Sequence, residues 1–545
     1  MAETIRGADA LVETLARAGI RTVFTLSGNH IMPVFDAVLG RGIELIHTRH
    51  EAAAVHMADA FARLTGEVGI ALVTGGQGHA NAVAALSTAM AGEVPLVLLS
   101  GHAPWGEIGL GAFQELRNAD LAAPVTKAAW AARSAATLAD DLARAIRIAR
   151  SGRPGPVHLS LPTDVLDARL DPAGMSWPEA AAFLPEPMPL APETAAMVRA
   201  ELSRAKRPLV IAPPALCTPR GRALLKRLRD ALGLPVVPME SPRGINDPSL
   251  GAFAEVLSEA DLILLLGKQL DFTLRFGRAP AIAAACRWIV LDPDPALIER
   301  AARTQRERLI LSALAGPHEA AMALAQGRLD ADHAGWTTQV EAAIRYRPAA
   351  WDAHRGKAAG TIHPVTLCHA LTPYLQRDPD AVLVSDGGEI GQWAQALLSA
   401  PNRVINGVAG AIGPSIPFAM AARRAKPGST VLAVLGDGTF GFHMAEFETA
   451  VRHNLPFVAV VGNDSRWNAE HQIQLREYGA QRAHGCSLAP ATRYDLVATA
   501  LGGHGEFVQD AAELPAALER AFASGKPACV NVLIEGQAAP VVRRG

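Results

Sequence analysis

Cysteine is sparse in this chain. Cys217, Cys286, Cys368, Cys486 and Cys529 lie far apart, an odd number with no CxxC pair. That counts against a disulfide framework and a zinc site, and reduced, mostly buried thiols in a cytoplasmic protein are expected. Aromatic residues make up only 5% of the chain, which leaves little material for stacking nucleobases. The net charge of -2 lacks the basic excess of a nucleic-acid surface, so no nucleic-acid partner is expected. No uncharged apolar run reaches the roughly 18 residues that a membrane span needs. The opening stretch, MAETIRGADALVETLARAG, carries charge throughout and has no signal-peptide apolar centre.

What the chain does have is length and alternation. Its 545 residues, half of them hydrophobic, suit about three to four domains. Short β-branched runs alternate with alanine-rich helical patterns, the mark of βα units and parallel sheets. The fold class is therefore α/β, with three parallel-sheet α/β domains expected. The first, 1–170, has strands at TVFTLSG, IELIHTRH, GIALVTGG, VPLVLLSG and GPVHLSLP. Six prolines, from Pro172 to Pro192, make 171–192 a linker, because proline removes a donor and fixes φ. The second domain, 193–327, has PLVIAPP, LPVVPM, DLILLLG, RWIVLDPD and RLILSAL. A charged, partly helical connection at 328–360 leads to the third, 361–545, with AVLVSDGG, RVINGV, TVLAVLGDG, FVAVVGND and ACVNVLIEG. No short-period sequence repeat stands out.

In the third block, VLGDGTFGFHMAEFETAVRHNLPFVAVVGNDSRW puts Asp437 and Asn463 at the ends of consecutive strands. Ligands of parallel sheets bind at such ends. The intervening helix is read with Met444, Phe447 and Val451 on the face toward the sheet and Glu446, Glu448 and Arg452 elsewhere. Its N-terminus and the N–H groups of Gly438 and Thr439, just after Gly436, favour an anion. Asp437 and Asn463 offer hard oxygens, and the Ser465 carbonyl is a third candidate. With phosphate oxygens, such ligands suit Mg2+. Asp464 reads as a turn former.

GDG followed by a helix, a strand and an asparagine resembles the diphosphate and Mg2+ motif of thiamine-diphosphate enzymes. The resemblance extends over nearly the whole chain. RHEAAA matches the family's proton-relay glutamate, which makes Glu51 the group that hydrogen-bonds the cofactor's pyrimidine and promotes loss of the weakly acidic C2 proton. VTGGQGHANAV resembles the glycine-rich turn over the pyrimidine. AFQE resembles the segment that places a glutamine, here Gln114, over the reacting carbon. In NGVAGAIGPSIPFAMAA the resemblance makes Ile412 the wedge that bends the cofactor and the Gly410 carbonyl the acceptor of its amino group. In SDGGEIGQW, Gly388 and Glu389 fall where the family lines the diphosphate and thiazolium. It follows that the first domain binds the pyrimidine, the second is Rossmann-like, and the third binds diphosphate and Mg2+. The two halves of a site come from different subunits, so a homodimer or homotetramer is expected.

Within that family the chain is most similar to benzaldehyde lyase, in the group of acetohydroxyacid synthases, oxalyl-CoA decarboxylases and 2-hydroxyacyl-CoA lyases. SGNHIMPVFDAV resembles the loop that places a histidine, here His30, near a small-molecule substrate. The implied activity is a C–C lyase or carboligase acting on 2-hydroxyketones, 2-ketoacids or 2-hydroxyacyl-CoA. The alternatives are an acetolactate-synthase-like transferase, a 2-ketoacid or oxalyl-CoA decarboxylase, and a non-catalytic thiamine-diphosphate scaffold. Arg466, Trp467 and Asn468 depart from the family pattern, and Arg466 is a candidate for a substrate carboxylate or phosphate. FAD is not expected: where relatives that bind FAD or ADP carry glycines, VIAPPALC has Pro213 and Pro214, which lack backbone donors. Asp292, in VLDPDP, reads either as a ribose ligand or as a strand-end turn.

Overall fold

The structure is a computed structural model that describes residues 4–354 and 360–544. Part of the expected second connection, 355–359, lies outside the described residues. The chain divides into two compact units: Met1–Glu186 with Met420–Ala425, and Pro187–Ala419 with Lys426–Gly545.

In the first unit six strands form one parallel sheet, in the order Glu44–His47, Thr22–Thr25, Gly69–Val73, Leu96–His102, Pro156–Pro162 and Ala128–Ala131. Numbered along the chain, that order is 2-1-3-4-6-5. The helices Glu51–Thr65 and Gln77–Ala91 pack on each other. Nearly every residue of the first is buried, which is why it is built from alanines. A separate two-residue ladder pairs Ile5–Arg6 with Arg169–Leu170, antiparallel.

The second unit holds two parallel sheets. One runs Val236–Pro238, Pro208–Ala212, Leu262–Leu266, Arg287–Asp292, Leu309–Leu314. The other runs Asn402–Ile405, Val382–Ser385, Val431–Gly436, Val458–Asn463, Ala528–Leu533, His504–Val508. The last has the order 2-1-3-4-6-5 again, an architectural repeat without a visible sequence repeat. In such sheets the switch point lies between strands 1 and 3. That places the two ligand crevices after Thr25 and Val73 in one unit and after Ser385 and Gly436 in the other.

All fifteen strands read from the sequence are present. Besides the two-residue pair Ile5–Arg6 and Arg169–Leu170, two sheet strands were missed, Ala128–Ala131 and His504–Val508. Both are edge strands, and their residues are mostly half-buried. An edge needs no continuous apolar run, so neither AAWA nor HGEFV carries one. The proline-rich stretch holds only the short turns Pro172–Gly174 and Ala180–Phe183, and the helix Pro192–Arg204 starts at its final proline.

One helical reading is corrected. Two short helices, Asp437–His443 and Glu446–Arg452, replace the single one. Phe440, Phe447 and Ala450 are buried, whereas Met444 and Val451 stand 38% and 37% exposed. The break at Met444–Ala445 rotates the apolar stripe. It also buries Glu446, whose carboxylate accepts a 2.6 Å bond from the Thr449 hydroxyl.

Two buried histidines meet in the first unit, His79 from the helix Gln77–Ala91 and His158 from the strand Pro156–Pro162. His79 Nδ1 lies 2.8 Å from the Ser100 hydroxyl and its Nε2 2.9 Å from the Asn118 carbonyl. The His158 ring sits 4.5 Å away. Burial pushes the His79 pKa down to about 4, and burial and then His79 hold His158 well below its usual value. The folded state therefore excludes protons that the unfolded chain binds below about pH 6.5, and stability is lost as pH falls through that window. Buried Asp59, raised by burial, acts in the opposite sense. His79→Gln isolates the effect: between pH 7 and 5 its unfolding free energy should fall about 2 kcal/mol less than that of the parent, in apo-protein chemical unfolding.

Candidate active site

At the switch point of the first unit, Glu51 opens its helix with His50 as N-cap and is 8% exposed. Its Oε2 accepts a 3.0 Å bond from the Asn81 amide. Gly78 lies close enough that a Cβ there would sit 3.2 Å from Glu51 Oε1. His30 is buried, with Nδ1 3.1 Å from the Thr74 hydroxyl and its ring stacked on Phe113 at 5.9 Å. Burial holds its pKa below the usual value, so the ring is neutral at pH 7. Gln114 adopts φ +54°, and Gly76 makes room for it: a Cβ on Gly76 would lie 2.7 Å from that of Gln114. Glu51, His30 and Gln114 thus share one neighbour, the turn Thr74–Gly78.

Asn81 and Thr74 were not singled out from the sequence, although both stand in the turn segment quoted above. Asn81 is exposed, so its bond to Glu51 contributes about 1 kcal/mol. Asn81→Ala should therefore slow a proton-exchange step at Glu51 about fivefold while cofactor affinity holds, measured by NMR exchange and calorimetry.

At the switch point of the second unit, a cavity of about 250 Å³ is lined by Gly387, Gly388, Gly410, Ile412, the run Gly436–Thr439, and Arg466 and Trp467. Ser241, Pro242 and Arg243 of the central block also reach it, and no local motif marks them for that role. Asp437 is 2% exposed; Oδ1 accepts the Gly438 N–H at 2.9 Å, and Oδ2 is buried without a hydrogen-bond partner. The walls leave no room for side chains. A Cβ on Gly438 would lie 2.5 Å from the Trp467 ring, and one on Gly387 2.4 Å from the Thr439 hydroxyl.

The other expected ligands are turned elsewhere. Asn463 spends its amide N–H groups on Asn531 Oδ1 and the Thr492 carbonyl, at 3.1 and 3.2 Å, and its oxygen on the Ser465 N–H at 3.1 Å. The Ser465 carbonyl accepts the Leu488 N–H at 2.8 Å. Asp464, read as a turn former ahead of a weaker ligand candidate, is half-buried and feels the charge of Asp437. Burial and then Asp437 push the Asp464 pKa up to about 7, and burial pushes Asp437 up to about 6. A buried carboxylate whose charge raises the pKa of a half-buried neighbour makes a site short of positive charge. The residues fit a hard cation bound partly by phosphate oxygens, since no cage of three or more acidic, His or Cys side chains exists among the described residues. Glu389 does not line the cavity: it is 8% exposed, raised by burial, and accepts a 2.8 Å bond from Gln392. Asp292 closes its own turn, accepting the Asp294 N–H at 2.9 Å.

A glycine-walled crevice with paired acids at one switch point, and a dry carboxyl over a glycine turn at the other, are the parts of one kind of enzyme. The family model described as "Thiamine pyrophosphate enzyme, N-terminal TPP binding domain" matches residues 5–122, and "Thiamine pyrophosphate enzyme, C-terminal TPP binding domain" matches 386–532. The chain belongs to the thiamine pyrophosphate enzyme family and is a thiamine-diphosphate-dependent enzyme. It is 34% identical to a probable acetolactate synthase of Mycobacterium bovis, over 98% of this chain and 96% of that one. It is 31% identical to human 2-hydroxyacyl-CoA lyase 2, over 97% and 90%, and 30% identical to the Danio rerio protein of that name, over 97% and 91%. Such relatives displace the alternative of a non-catalytic scaffold. No described helix is long and apolar enough to cross a membrane.

Proposed function

We propose that this enzyme breaks or forms a C–C bond beside a carbonyl, as a lyase or carboligase using thiamine diphosphate and Mg2+. Its substrates are 2-hydroxyketones, 2-ketoacids or 2-hydroxyacyl-CoA. The observation that carries the cofactor reading is the buried, unpartnered Asp437 oxygen at a switch point walled by glycines. Asp437 and Asp464 are the protein's ligands to the cation, with Asn463 and Ser465 bracing the turn that presents Asp464. Gly388, Gly436, Gly438 and Thr439 would bring backbone close to the diphosphate, the Gly410 carbonyl would accept the cofactor's amino group, and Ile412 would be the wedge that bends it.

When bound, thiamine diphosphate supplies a nucleophilic carbon and an electron sink. Glu51 holds a proton against the pyrimidine nitrogen, and its burial keeps that exchange away from water. Neutral His30 donates to or accepts from a substrate oxygen, fixed by Thr74 and Phe113. Gln114 orients the substrate, and exposed Arg466 receives a carboxylate or phosphate on it. As the family resemblance implies, the working form is a homodimer or homotetramer, and no flavin is required.

Purified enzyme with thiamine diphosphate and Mg2+ is to be incubated separately with benzoin, pyruvate, and a 2-hydroxyacyl-CoA, and the products read by mass spectrometry. Aldehyde release or a new hydroxyketone is expected from at least one, with no visible flavin absorbance. Turnover of none of them, or activity that follows added FAD, would overturn the proposal.

A further inference from the structure

Asp386 ends the strand Val382–Ser385 and is completely buried. Its Oδ2 accepts the Gly413 N–H at 2.9 Å and the Ser415 N–H at 3.1 Å, while Oδ1 is buried without a hydrogen-bond partner. Burial lifts its pKa to about 7 against those two bonds. A buried carboxyl is an expensive way to close a loop, since a turn can satisfy its own N–H groups. What distinguishes this one is what it joins. On its own chain the next residues are Gly387 and Gly388, both at positive φ and both lining the cavity. The loop it grips carries Gly410 and Ile412, on the same cavity. The two walls already touch: a Cβ on Gly387 would meet Ile412 Cγ2 at 2.9 Å. Gly413, at φ +109°, is pressed against Phe442, 2.8 Å from where its Cβ would be.

We propose that Asp386 is a positioning residue for the cofactor: a staple whose two backbone bonds fix the Gly410–Ile412 wall against the Gly387–Gly388 wall before ligand arrives. It touches neither cofactor nor substrate and acts through both loops. This inference rests on the thiamine-diphosphate reading above.

The experiment compares apo protein and its Asp386→Ala, Asp386→Asn and Asp386→Glu variants by hydrogen exchange of segment 406–418. It also measures thiamine-diphosphate affinity by calorimetry at saturating Mg2+. In Asp386→Ala, exchange at Gly413 and Ser415 should accelerate, and affinity should fall about tenfold or more with two bonds lost. The amide oxygen of Asp386→Asn can accept both bonds, so both readouts should return to within about threefold of the parent. Asp386→Glu keeps the charge but moves the oxygen, and should bind more weakly than Asp386→Asn. That pair decides the matter if Asp386→Ala does not fold. Parental exchange and affinity in Asp386→Ala would overturn the staple, as would equal binding losses in the alanine and asparagine variants. A parent that binds no thiamine diphosphate would instead overturn the cofactor reading.

Discussion

Glu51→Gln should abolish exchange of the cofactor's C2 proton, by about 10² to 10⁴-fold, while thiamine diphosphate still binds within a few-fold of the parent affinity. The shape of the side chain is kept, and a glutamine oxygen can still accept the bond from Asn81 that Glu51 accepts at 3.0 Å. What is lost is the carboxyl group proposed to pass a proton to the pyrimidine, which an amide cannot replace. Proton exchange read by NMR on quenched samples separates this step from substrate chemistry. Full exchange in the variant would remove Glu51 from the mechanism, and loss of binding in parallel would make it a structural residue.

The second large effect divides three neighbouring residues by role. Asp437→Ala should weaken Mg2+-dependent cofactor binding by about 100-fold or more, since it removes the ligand proposed above. Asp464→Asn should raise the Mg2+ concentration at half-saturation at least about tenfold while leaving apo-protein stability close to the parent. Asn463→Ala should do the reverse. It strands the Ser465 N–H and removes the donor to Asn531 Oδ1, while the Thr492 carbonyl keeps its bond from Asn531, so stability should drop by about 1–3 kcal/mol with the Mg2+ dependence of the folded fraction unchanged. Calorimetric Mg2+ titration beside apo unfolding curves reads both. If Asn463→Ala shifts the Mg2+ requirement and Asp464→Asn does not, the cation set is Asp437 with Asn463, as the spacing alone suggests.

That contrast marks where sequence reading stops. Asp437 is legible because a glycine-flanked acid at the end of an apolar run can be recognised in one dimension. Whether Asn463 or Asp464 faces it is not, because adjacent residues at a strand end point in different directions. The choice was made by Asn531 and Thr492, which lie far along the chain and hold Asn463 from behind. Glu389 is a similar case. Its position beside Gly388 suggests the cavity, but the helix Gly388–Leu397 turns it inward onto Gln392. Arg243 reaches the cavity from another block, and nothing in its local sequence could announce that.

The class of fold, fifteen of the seventeen strands in the three sheets, and the glycine and acid punctuation at the crevices are legible in one dimension. These follow from periodicity and from local backbone chemistry, which neighbouring residues set. The edge strands Ala128–Ala131 and His504–Val508, the break after His443, the burial of Asp386 and the partner that each carboxylate meets were set by the folded chain. Those depend on contacts between segments distant along the chain, where burial and hydrogen bonding override what a residue's neighbours suggest.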